Sequence, residues 1–141
     1  MKNKNFKILN IDHVAVASTN SAVLNVLFVD LLGMNATSKE HVENEKVRVI
    51  KVFAEDQKTA IELVEPSDSS STIRKFIDKK GAALHHIALT VDSIEKAIDY
   101  LKSRDIQLIY DIPKKGSDNK LITFIHPISS PGILIELCQR T

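Results

Sequence analysis

With 141 residues, the chain is long enough for one domain with a real core and too short for two ordinary ones. Its 19 Lys+Arg against 18 Asp+Glu leave a net charge of +1, which implies no nucleic acid or acidic polymer as partner. The longest apolar run, residues 22–34, is broken by Asn25, Asp30 and Gly33 and is too short to span a bilayer, so no membrane partner is expected.

The opening MKNKNFK is followed by no apolar segment of the kind a secretory signal carries. The single cysteine, Cys138, has no partner for an internal disulfide and reads as a small core residue in a cytoplasmic protein. Residues 11–17 (IDHVAVA) alternate as a strand, with Ile11, His13, Ala15 and Ala17 on one face and Asp12, Val14 and Val16 on the other. Thr19-Asn20-Ser21 offers caps for a helix over residues 22–32, and Gly33 suits the position past its end. That helix is apolar nearly all round, which predicts burial on more than one side. Residues 46–53 and 59–64 read as strands joined by the polar turn Glu55-Asp56-Gln57-Lys58. Pro66 and SDSSS mark a loop. A short helix follows over residues 72–80, with Ile73, Phe76 and Ile77 on one side and Gly81 as its stop.

The pattern then restarts. Residues 84–91 (LHHIALTV) read as a strand, and Asp92 or Ser93 caps a helix whose Ile94, Ala97, Ile98 and Leu101 make one buried face. Glu95 stands three residues after Asp92, where a capping box would place it. Strands are expected at 106–110, 121–126 and 133–138. Each half thus reads strand, helix, then two or three strands, which is an internal repeat. The expected fold is α+β: a single domain over 1–141, with one module at about 8–66, a connecting helix at about 72–80 and a second module at about 84–140.

AIELVEP closes the first half and ILIELCQ the second, so His13 corresponds to His86, 73 residues on, and Glu62 to Glu136, 74 residues on. A lone carboxylate on an otherwise apolar strand is costly unless something pairs with it. If the copies pack about a pseudo-twofold axis, two neutral imidazoles and two carboxylates converge, with a charge of −2 that a divalent cation neutralises. A nitrogen and oxygen donor set without thiolate suits Zn²⁺, Co²⁺, Ni²⁺, Mn²⁺ or Fe²⁺ and not a cysteine-rich structural zinc. Taken singly, each of the four also fits a structural role; the matched spacing is what joins them. His85 points to the face opposite His86, and His41 and His126 have no counterparts in the other half.

The segments IDHVAVA, LLGM, IELVEP, FIDKKGAALHHIAL and FIHPISSPGILIELCQ, spread over residues 11–139, resemble the vicinal oxygen chelate superfamily and, within it, the methylmalonyl-CoA epimerase family. The resemblance implies paired βαβββ modules forming a cupped mixed sheet around a metal, and a homodimer. It carries the family's ligand positions onto His13, Glu62, His86 and Glu136; glutamine stands at the Glu62 position in some members. The implied reaction inverts C2 of methylmalonyl-CoA or a close acyl-CoA through an enolate, with a divalent ion (Co, Zn, Mn or Ni) and two acid/base groups on opposite faces of C2.

Where epimerases commonly place a glutamate before a Gln-Gly-Val segment, this chain has HVENEKVRV. Glu45, nearer the strand, is the expected acid/base and Glu43 the alternative, with Glu136 as the second. Lys114, Lys115 and Lys120 are candidates for the CoA phosphates by charge. A glyoxalase I-like lactoylglutathione lyase also uses two histidines and two glutamates, but arginines for a glutathione conjugate are scarce: Arg48, Arg74, Arg104 and Arg140. A non-catalytic small-molecule binding protein of this fold has no need of four ligand positions. A two-histidine, one-carboxylate iron dioxygenase leaves open the position that a fourth ligand fills here.

Overall fold

The computed structural model describes residues 3–141, so the first two residues of MKNKNFK lie outside the described residues. The chain starts with strand β1 (Ile8–Ala17), helix α1 (Ser21–Asn25) and a π-helical segment (Val26–Leu31). Two short strands, β2 (Asn35–Ala36) and β3 (Glu40–Val42), precede a 3₁₀ turn (Glu43–Glu45) and the longer β4 (Val47–Phe53) and β5 (Ala60–Pro66). Helix α2 (Thr72–Lys80) leads to β6 (Ala83–Val91) and helix α3 (Ile94–Ser103). Short β7 (Lys114–Lys115), a 3₁₀ turn (Ser117–Asn119), β8 (Leu121–Ile125) and β9 (Ile135–Gln139) complete the order. Among the described residues, no helix is long and apolar enough to cross a membrane.

The chain divides into two compact units: residues up to Asp12 with His86–Thr141, and His13–His85. Both divisions fall inside strands, within β1 and within β6.

In the unit His13–His85 the strand order is β2-β4-β5-β1, with β3 also on β4. β1 and β5 run parallel, with His13 opposite Ala60 and Ala15 opposite Glu62. β4 and β5 are antiparallel, with Lys51 opposite Glu62. One face of this sheet buries Ala15, Ala17, Val47, Val49 and Val64 together with Val42 and Ile73, and Phe76 and Ile77 of α2 pack against them. α2 begins where the Ser71 hydroxyl accepts from Ile73 N at 3.2 Å, satisfying one donor of the first turn. It ends at Gly81, whose φ of 75° lies in the left-handed region open to glycine.

The segment after β1 departs from its expected form. Only Ser21–Asn25 is α-helical, capped by Asn20 Oδ1, and the chain then widens into π-helix up to Leu31. Nor is it buried all round: Val23, Val26, Leu27, Leu31 and Leu32 are 42–72% exposed. An apolar face says that a surface tends to be covered, not that the same chain supplies the cover.

In the other unit the order is β6-β9-β8-β7. β6 and β9 are parallel, with Ala88 opposite Glu136, and β8 and β9 antiparallel, with Phe124 opposite Glu136. Ile94, Ala97 and Ile98 of α3 are buried with Phe6, Val91, Leu108 and Leu137. Ser93 provides the cap, its Oγ accepting from Lys96 N at 3.4 Å, while Asp92 Oδ1 instead accepts from Lys7 N at 2.8 Å. Glu95 is therefore one position short of a capping box. Residues 106–110 form no named strand and contribute a single bridge, Leu108 to Ile125.

Candidate metal and acid/base site

The repeated motif has one geometry in both units. β1 presents His13, then Ala15 two residues on, and the parallel partner β5 sets Glu62 opposite that alanine. Residues spaced by two share a sheet face, so His13 and Glu62 meet diagonally across small neighbours, Ala15 and Ala60. The result is a contact of 3.5 Å between His13 Nε2 and Glu62 Oε2, with the residues 1% and 5% exposed. β6 presents His86, then Ala88, and β9 sets Glu136 opposite Ala88. His86 Nε2 lies 3.2 Å from Glu136 Oε1, with the residues 8% and 6% exposed. The Phe124 ring meets the His86 ring edge to face at 5.7 Å, closing the apolar side of this pair.

These side chains are of the chemistry that holds a divalent ion. In each unit the pair is a buried imidazole beside a buried carboxylate, the donor types that divalent ions take.

The remaining histidines do other things. His85, half-buried, meets Phe76 of α2 edge to face at 4.8 Å. His41 is exposed on β3 opposite Arg48. His126 Nδ1 accepts from Ile128 N at 3.1 Å and so shapes a turn.

Glu43 and Glu45 lie in the 3₁₀ turn before β4; Glu43 is exposed and Glu45 half-buried. The next residue, Lys46, has φ 54°, so the left-handed turn into β4 is made without glycine. Lys46 N donates to Glu43 O at 3.1 Å and Lys46 O accepts from Ser67 N at 2.9 Å, hydrogen bonds that hold this backbone.

Of the three lysines considered for phosphates, Lys114 and Lys115 are exposed on β7, with Lys114 Nζ 5.0 Å over the Tyr110 ring. Lys120 is different. It is buried, and its Nζ donates to Asp12 Oδ2 at 2.6 Å, which removes it from the surface contacts expected of it. Asp12 also accepts from Arg140 Nη2 at 2.8 Å and from Thr90 Oγ1 at 3.2 Å. Burial alone would lower the Lys120 pKa, but the hydrogen bond and charge of Asp12 outweigh it and raise it. The Cys138 thiol is pushed up to about 12, first by burial and then by the charges of Asp12 and Glu136, so it stays a protonated core group.

Sequence reasoning passed over two buried ionic residues. Asp12 was visible as the single formal charge inside the apolar strand IDHVAVA, and Lys51 as the inner of two charges in VRVIKVF.

Residues 12–124 match the family model described as the glyoxalase/bleomycin resistance protein/dioxygenase superfamily. The chain belongs to that superfamily and has its fold, a mixed sheet with few helices.

Within it, several of the similar proteins are named methylmalonyl-CoA epimerase. The mitochondrial methylmalonyl-CoA epimerase of Dictyostelium discoideum is 34% identical over 131 residues, covering 92% of this chain and 78% of the relative. The crystal structure of methylmalonyl-CoA epimerase from Mycobacterium tuberculosis superposes with a TM-score of 0.91 at 30% identity, covering 95% of this chain and 89% of that one. A methylmalonyl-CoA epimerase solved in complex with methylmalonyl-CoA and NH4+ superposes with a TM-score of 0.84 at 25% identity, covering 96% of each chain.

Proposed function

We propose that the chain is a metal-dependent isomerase that inverts C2 of methylmalonyl-CoA or a close acyl-CoA. The observation that carries this reading is the motif His-x-Ala with a glutamate opposite the alanine, built twice in a chain similar to several proteins named methylmalonyl-CoA epimerase. Those relatives favour it over a glyoxalase I-like lyase or a non-catalytic binding protein.

In this reading His13, Glu62, His86 and Glu136 hold one divalent ion, with Co, Zn, Mn and Ni as the candidates. Buried nitrogen and oxygen donors without a thiolate fit these ions. When bound, the ion supplies positive charge opposite the carboxylate and thioester oxygens on which negative charge builds as C2 loses its proton.

The protein's own groups move the proton. Glu45, as a carboxylate, takes it from C2, and Glu136, as the acid, returns one to the opposite face. The C–H bond broken on one side is remade on the other, with no net proton gained or lost. Exchanging the two roles runs the reaction backwards. Glu43 is the alternative to Glu45, and Lys114 and Lys115 are the cations offered to the CoA phosphates.

The working form is proposed to be a homodimer in the cytoplasm. The exposed apolar side chains of residues 23–32 support a covered face, and the single buried thiol suits a reducing compartment. Sedimentation at micromolar concentration checks the dimer.

The test of activity is isotopic. Metal-loaded protein incubated with methylmalonyl-CoA in D₂O is expected to place deuterium at C2. No incorporation with any of Co²⁺, Mn²⁺, Zn²⁺ or Ni²⁺ overturns the epimerase reading, and turnover of the methylglyoxal–glutathione adduct instead would establish the lyase.

A further inference from the structure

Lys51 stands out within the unit His13–His85. β4 sets it directly opposite Glu62 in an antiparallel pair, so the two side chains leave the sheet on one face, their Cβ atoms about 4.5–5.5 Å apart. His13 occupies the same face one strand further on, in contact with Glu62. Lys51 is only 4% exposed, whereas lysine is among the side chains least often buried.

Packing does not ask for a cation here. Val47 and Val49, the preceding residues on this face of β4, are buried in the core under α2, and an apolar residue at 51 would continue their row. A buried ion pair is commonly worth no more to stability than well-packed apolar groups of the same volume. The backbone at this point is nevertheless held firmly. Lys51 N donates to Thr37 Oγ1 at 3.1 Å, and Thr37 N donates to Lys51 O at 2.8 Å.

The charge count suggests what the ammonium does. Glu62 and Lys51 cancel, so of the proposed ligands in this unit none leaves net negative charge against a divalent ion. The site is then positive, suited to an acyl group that brings a carboxylate of its own. Phe53, opposite Ala60, is half-buried beside Lys51 on this face and offers an apolar wall in place of a second anion.

We propose that Lys51 is a specificity-determining residue whose ammonium binds the free carboxylate of the substrate's acyl group. It makes the site selective for malonyl-type thioesters over neutral acyl thioesters. This rests on the epimerase reading and extends it to the basis of substrate choice.

The experiment compares metal-loaded wild type, Lys51→Met and Lys51→Arg by calorimetric titration with methylmalonyl-CoA and with propionyl-CoA, which lacks only the carboxylate. Metal content and circular dichroism are measured on each protein. Wild type is expected to prefer methylmalonyl-CoA. Lys51→Met loses about tenfold to a hundredfold in affinity for it, the range for a lost charge-assisted hydrogen bond, and keeps its affinity for propionyl-CoA. Lys51→Arg recovers most of the preference, and KM rises more than kcat falls in Lys51→Met.

Equal loss for both ligands, an unchanged preference, or loss of the metal from Lys51→Met would each show that Lys51 acts only as the structural partner of Glu62 and overturn the proposal. If Lys51→Met does not fold, the Lys51→Arg and Lys51→Gln pair decides between the same outcomes. Wild type that binds neither ligand and exchanges no deuterium refutes the epimerase reading itself. A wild type with the preference and a variant that keeps it refutes the role of Lys51 alone.

Discussion

Lys120 Nζ lies 2.6 Å from Asp12 Oδ2, and both side chains are buried. The two residues are 108 positions apart in sequence, and Asp12 is the immediate neighbour of His13. One carboxylate, with Arg140 and Thr90 also donating to it, therefore ties the first strand to the entry of β8 and the end of β9.

Removing the anion should hurt more than removing the cation. Asp12→Ala strands a buried ammonium and is expected to cost about 3–5 kcal/mol. Lys120→Met leaves Asp12 with Arg140 and Thr90 and is expected to cost clearly less. Urea denaturation with linear extrapolation reads both. Equal losses would show that the pair does not carry the burial penalty assigned to it.

The same pair sets an alkaline limit. The folded pKa of Lys120 is raised above the ordinary lysine value of 10.5, so its stabilising contribution is full below that value and is lost as pH rises through the folded pKa. Wild type should lose stability above about pH 10.5 more steeply than Lys120→Met. Denaturation midpoints between pH 8 and 11.5, on the order of half a pH unit apart, test this.

Acid acts elsewhere. Glu65 accepts from Lys39 Nζ at 2.8 Å, from Ser21 Oγ at 2.7 Å and from Arg48 Nε at 3.2 Å. Burial would raise its pKa, but these hydrogen bonds and the Lys39 charge lower it. Its contribution is present above the unfolded value near 4.5 and lost as pH falls through the folded one. Because Lys39 and Arg48 are partly exposed, Glu65→Gln should cost only about 1 kcal/mol at pH 7, and the difference should vanish in strong acid.

Loss of a ligand should be seen in the metal before it is seen in the fold. His13→Ala, Glu62→Ala, His86→Ala and Glu136→Ala are each expected to bind less divalent ion by elemental analysis. Chelation of wild type should stop deuterium exchange, and adding the metal back should restore it. Full metal content in all four variants would remove the site.

Glu45 and Glu43 can be separated by conservative change. Glu45→Gln is expected to lower kcat by about 10²–10⁴, the range for a general base, with metal content unchanged. Glu43→Gln should remain within a few-fold of wild type. The reverse order would move the base to Glu43.

The paired histidines and glutamates were legible in the sequence because they obey short-range rules. Strand periodicity of two puts His13 with Ala15 and His86 with Ala88, and a register equal in the two halves matches Glu62 to Glu136.

Tertiary structure decided the rest. Nothing local brings Lys120 to Asp12, or tells a lysine on β4 that its opposite is Glu62 rather than solvent. Nor does helical periodicity show that Val26–Leu31 turns π-helical or that Val23, Val26, Leu27, Leu31 and Leu32 stay exposed, because that depends on what the chain packs against them. Alternation and spacing are properties of neighbours along the chain. Burial, pairing of distant charges and the choice among possible caps depend on groups that meet only when it folds.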